Sequence, residues 1–207
     1  MEIGEIQIDM EDDRFMQDDR FWGLIGRTLA HEAHPERQVE SLGQVLRELT
    51  PSELAAFELT FQRTLWWRAY TWDLWGAAHI LNDGATDDGF EYFRCWLISK
   101  GREVFEATLA DPDSLAGMIA PDAAPSRFEF EGIAYVATEV WGEKTGKDPW
   151  LDPTATFTGA VLMAEEPSGT PLEKGAGHLA KRYPKLWARF GRGEHSSTSV
   201  AVQKSAS

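Results

Sequence analysis

The sequence predicts an all-α fold, a single domain of about five or six helices packed around one buried helix spanning about 51–81. Three observations lead there. Apolar residues recur at steps of three and four through most of the chain. A Thr-Pro-Ser-Glu capping signal opens the longest such run. The one segment rich in β-formers keeps the helical period too.

The elements follow in order. Residues 1–14 alternate weakly through Ile3, Ile6 and Ile8 and then turn acidic, which predicts a flexible acidic arm. Asp18 is a candidate cap for a helix carrying Phe21, Leu24, Ile25, Thr28 and Leu29, and Pro35 restarts the chain as a short helix to about residue 48. Thr50 then fits an N-cap, Pro51 the first helical position and Glu53 the reciprocal half of a capping box. Projected as one helix to Leu81, the apolar groups leave no polar side, which marks a central, buried element. Thr86 or Asp87 opens a helix to about Ala110, with Asp87 and Asp88 in the first turn where the helix dipole favours them. Phe130, Ile133, Ala134, Ala137, Val140 and Trp141 keep the 3.6-residue period, so about 129–144 is expected to be helix, ended by Gly146. A Pro/Gly-rich loop and a last helix kinked at Pro184 complete the domain, taken as 15–192. The Ser-rich remainder, 193–207, reads as a disordered tail.

Composition narrows the function classes. A content of 43% hydrophobic residues suffices for one core, and a net charge of -14 disfavours general binding to nucleic acid or anionic lipid. Residues 173–192 are locally basic, which suggests a solvated outer face or, less simply, a docking face. Cys95 is the single cysteine, so neither an internal disulfide nor a cysteine zinc site can form. With no secretory signal pattern and no run of roughly 18 apolar residues, the cytoplasm is the expected compartment.

Most chemical fingerprints fail. GEKTGK lacks the first glycine of a phosphate loop, and Asp148 stands where the magnesium-holding hydroxyl belongs. NDGATDDGF places Ala85 at a calcium-ligand position. His31 and His34 have a ligand-like spacing but no third partner, so no metal is expected, and no cofactor is indicated. One constellation remains. Arg94 falls in the middle of an apolar helix face, where a guanidinium needs a partner, and projection makes Asp73 the first candidate and Asp87 the second. The pair would be structural. Alternatively Arg94 would hold a carboxylate or phosphate above a floor of Trp72 or Trp75. His79 projects beside Phe61 and Trp72 as a hydrogen-bonded core histidine, and Cys95 falls on the polar face of its helix.

The run AYTWDLWGAAHILNDGATDDGFEYFRCWLISKGREVFEATLADPDSLA, residues 69–116, resembles the bacterial family known as Domain of Unknown Function 4240. RFWGLI near the start and KRYPKLWARF near the end are similar to that family's ends, so the resemblance spans roughly 15–190. The family pattern usually has Ser at the position of Thr86, a conservative change at a cap. The resemblance implies no activity, cofactor or catalytic residue. Two readings of function stand. One is a non-catalytic binding or accessory module for a protein partner or a small anionic ligand. The other is an enzyme using Asp73, His79, Asp87 or Asp88, and Arg94 around an aromatic pocket.

Overall fold

The computed structural model describes residues 14–120, 128–149, 164, 166–173 and 176–191. The expected tail and all of the expected acidic arm before Arg14 lie outside them. The described residues are mostly helical and contain no strand, only an isolated parallel bridge between Thr71 and Ser168. Among the described residues ten α-helices follow one another: α1 (Asp18–Gly26), α2 (Pro35–Leu46), α3 (Pro51–Arg63), α4 (Trp72–Leu81), α5 (Asp87–Ser99), α6 (Gly101–Ala110), α7 (Leu115–Met118), α8 (Val136–Thr145), α9 (Ala176–Arg182) and α10 (Pro184–Phe190). No helix among them is long and apolar enough to cross a membrane.

Local chemistry sets most boundaries. Thr50 and Glu53 close the capping box, with Pro51 in the first turn. Thr86 caps α5 through the Gly89 amide. Gln17, not Asp18, stands at the N-cap of α1, and the Asp18 carboxylate instead meets Arg63 of α3 at 2.9 Å. The segment rich in β-formers is helical, a 3₁₀ turn at Glu131–Tyr135 running into α8, with Gly146 at its left-handed cap.

The single central helix is replaced by two. After α3 the backbone widens into a π turn, Thr64–Arg68, closed by the Ala69 amide on the Thr64 carbonyl at 3.0 Å. It then breaks at Ala69–Thr71 before α4. Every residue after that turn is therefore rotated from a straight-helix projection, because the wide turn inserts one residue into the 3.6-residue repeat. The expected 87–110 helix is also divided. Gly101, at φ +81, bends the chain into α6 where the Leu29 side chain presses close. This region of φ suits glycine because a Cβ would be strained there. Of the two halves of 51–81, α3 packs on α8 and α1, while α4 packs on α5 and α10.

The core is one apolar cluster drawn from all these elements. It includes Cys95, which is fully buried. The expectation of a polar face for that residue fails because α5 is covered by the π turn on one side and by the 131–135 turn and α6 on others. The basic stretch near the C-terminus is not a free docking face at two of its arginines. Arg189 reaches the carbonyls of Ile119 and Ala120 at 2.7 and 2.6 Å, and Arg182 is paired as described below.

Candidate functional site

The π turn and the break after it point the side chains of Trp66 and Tyr70 toward α5, and Arg94 rises from α5 between them. The guanidinium carbon lies 4.5 Å from the Trp66 ring centre, 4.8 Å from Tyr70 and 4.6 Å from Phe90. Nη1 donates to the Leu65 carbonyl, within the π turn, at 2.7 Å, and Nε donates to the Phe90 carbonyl at 3.3 Å. The residue is only 1% exposed. Among the described residues no carboxylate comes within ion-pair distance of it, although Glu91 acts on it from one turn earlier. Burial therefore pulls its pKa down to about 10, and it remains a cation at neutral pH. Such a cation is held by ring quadrupoles and carbonyl dipoles.

The rings extend beyond this seat. Trp72 stacks on Trp75 at 5.3 Å, Trp75 on Phe90 at 4.7 Å, and Tyr70 on Phe90 at 6.0 Å. Phe90, Phe93, Trp96 and Phe128 continue the series on the other side. Trp66, Tyr70, Trp72 and Trp75 are half-buried, so the column reaches the surface at one end.

The structure brings together only part of the predicted set. Trp72, Trp75 and Arg94 belong to one connected cluster through Phe90. Asp73 does not join it, and the expected Arg94–Asp73 pair is absent. Its carboxylate accepts from Arg182 Nε and Nη2 at 3.0 and 2.5 Å. The phase shift at the π turn explains this, since Asp73 was placed by a straight projection from Pro51. His79 fails for the same reason. It is exposed, and its Nδ1 accepts the Ala85 amide at 3.3 Å, latching the turn after α4. Asp87 and Asp88 stay exposed in the first turn of α5, as a dipole-complementing pair would. Among the described residues no three acids, histidines or cysteines gather as a metal site.

Sequence reasoning missed several contributors. Tyr183 lies so close to α4 that a Cβ on Gly76 would sit 2.4 Å from its hydroxyl oxygen, and that hydroxyl donates to the Asp73 carbonyl at 3.0 Å. The bare Gly76 in an otherwise apolar helix was the available signal. Glu58 and Gln62 were also missed. Gln62 Nε2 donates to Glu58 Oε1 at 2.7 Å, and Trp66 Nε1 donates to Gln62 Oε1 at 3.0 Å. Their four-residue spacing was legible, but polar groups at such a spacing more often face water.

Neither the curated proteins nor the solved structures contain a match to this chain. The model of the family described as a protein of unknown function (DUF4240) matches residues 16–143, which carry α1 to α7, most of α8 and the whole Arg94 seat, and the chain belongs to that family.

Proposed function

We propose that this protein is a binding module that accepts a small anionic ligand beside the aromatic column, with Arg94 supplying the charge. The observation that carries the reading is the buried guanidinium bounded by carbonyls and rings, without a carboxylate in ion-pair distance among the described residues. A desolvated cation of this kind attracts a carboxylate or phosphate more strongly than a surface arginine does, because less water screens it. Trp66 and Tyr70, both half-buried, pack on the guanidinium and are themselves partly exposed. A small ligand suits the site better than a broad protein face. Among the described residues the only exposed large apolar side chains are Met118 and Tyr135.

The enzyme reading has less support. Asp73 is engaged by Arg182, His79 holds a turn, and Asp87 and Asp88 sit at a solvated helix start. A general acid or base must reach the reacting atom, and these groups do not converge on Arg94.

The test is thermal melting with phosphate and with citrate, on the wild type and Arg94→Met. Both anions raise the wild-type Tm and leave that of Arg94→Met unmoved. Equal shifts in the two proteins, or none in the wild type, would overturn the proposal.

A further inference from the structure

Two acids lie in the core of the described residues, Glu58 and Asp113, and they are treated differently. The Asp113 carboxylate accepts the Lys185 and Leu186 amides at 3.1 and 2.8 Å and so caps α10. Glu58 is 3% exposed and receives a neutral side-chain amide. An indole N–H can only donate, so the carbonyl of Gln62 must face Trp66 and its NH₂ must face Glu58. The ladder thus runs in one sense from Glu58 to the ring that covers one face of Arg94.

Among the described residues no cation pairs with Glu58. On α3 itself, Glu53 and Arg63 are taken by Arg20 and Asp18. On α1, Asp18 and Asp19 hold Arg63 and Arg102. On the π turn, Arg68 is held by Glu106. On α8, Glu139, Glu143 and Lys144 are exposed, and Glu143 pairs with Arg47. On α5, Cys95 is close enough for Glu58 to act on its thiol, which burial pushes up, while Glu91 and Arg94 stand beside it on the same helix.

We propose that the Glu58–Gln62–Trp66 ladder is a proton-linked latch on the Arg94 seat, holding Trp66 against the guanidinium while the Glu58 carboxyl is neutral and loosening when it ionises. An ionised Glu58 would be a buried charge with a single neutral partner, which is costly. Water must then reach α3, and the displacement passes along the ladder to Trp66. Burial raises Glu58 from 4.5 to about 7, so the exchange falls near neutral pH. The sign follows from proton linkage. The folded state keeps a proton that the unfolded chain has released, so stability is full below 4.5, falls as pH rises toward about 7, and is level above.

The anion-binding role of the latch rests on the function proposed above, and the experiment separates the two. Wild type and Glu58→Gln are melted between about pH 5 and about pH 8.5, with and without citrate. The wild-type Tm falls by several degrees from about pH 5 to about pH 7 and is level above, and that of Glu58→Gln shows no such fall. Tryptophan fluorescence of the native wild type changes around pH 7, and Trp66→Phe removes most of that change. Citrate shifts the wild-type Tm more above neutrality than below it, where the latch holds Trp66 over the guanidinium, and this difference is smaller in Glu58→Gln. If Glu58→Gln fails to fold, the infrared band of a protonated carboxyl in the wild type, vanishing near neutral pH, reports the same ionisation. A Glu58→Gln protein that keeps the wild-type pH dependence, or fluorescence indifferent to Trp66→Phe, overturns the latch. Absence of any citrate shift at either pH overturns the anion site and leaves the melting and fluorescence to decide the latch.

Discussion

Arg94 and Arg182 hold the same short stretch of chain, from the π turn to the start of α4, by different means. Arg94 lies inside and uses its faces, with three rings around the guanidinium plane and two carbonyls at its edge. Arg182 is 20% exposed and uses its fork on Asp73, with Nη1 donating to the Thr170 carbonyl at 3.1 Å. One side-chain type serves both because guanidinium is a planar π-stacking group and a bidentate donor at once. The difference also separates two kinds of attachment. The Arg94 seat lies wholly inside the packed core, whereas the C-terminal segment enters that core through Leu179, Tyr183 and Leu186 and is further held at the surface by Arg182 and the Thr71–Ser168 bridge.

The sharpest way to break this contrast is truncation of the inner arginine. Arg94→Ala leaves a void among the rings and strips two buried carbonyls of a partner, so a loss of about 4 kcal/mol is expected. Arg94→Met refills much of the volume and should cost about 2 kcal/mol less, as read by denaturant unfolding. Equal losses for the two would mean that charge and not packing dominates the seat.

Gly76→Ala comes next. The added methyl collides with the Tyr183 ring and should cost about 2 kcal/mol. Because the clash falls on Tyr183, which with Leu179 and Leu186 ties the C-terminal segment into the core, the expected result is release of that segment, seen as faster proteolysis at 176–191 ahead of global unfolding. Cleavage no faster than in the wild type would place that segment in the same cooperative unit as the core.

The smallest effect belongs to the outer pair. Asp73→Leu should cost about 1 kcal/mol, less at high salt, and a double-mutant cycle should couple it to Arg182→Met and not to Arg94→Met. Coupling of Asp73 to Arg94 would contradict the observed geometry.

Much of this was legible in the residues. The capping box at Thr50 and Glu53, Thr86 at the start of α5, Pro35 at the start of α2, the break at Pro184 and the helical period through 136–145 all depend on neighbours within one turn. The burial of Arg94 followed from its place on the Phe90–Leu97 face of α5. Its partners did not follow. Asp73 and His79 were placed by extending one helix across Thr64–Thr71, and no residue there announces a π turn; Thr64, Leu65 and Trp66 are all acceptable in an ordinary helix. The error was one of phase, and phase carries forward to every residue downstream.

The sequence by itself determined that this chain is helical, where most helices begin, and that Arg94 lies on an apolar face of α5. These are short-range consequences of side-chain shape and capping. Only the tertiary structure decided that the enclosed cation takes carbonyls instead of Asp73, that Asp73 goes to Arg182, and that Glu58 joins the core through Gln62. Each of those choices links residues brought together by the packing of α3, α4, α5 and α9, or depends on the exact turn angle between α3 and α4. A periodicity read along the chain contains neither quantity, because it assumes that the helix on which it is measured is unbroken.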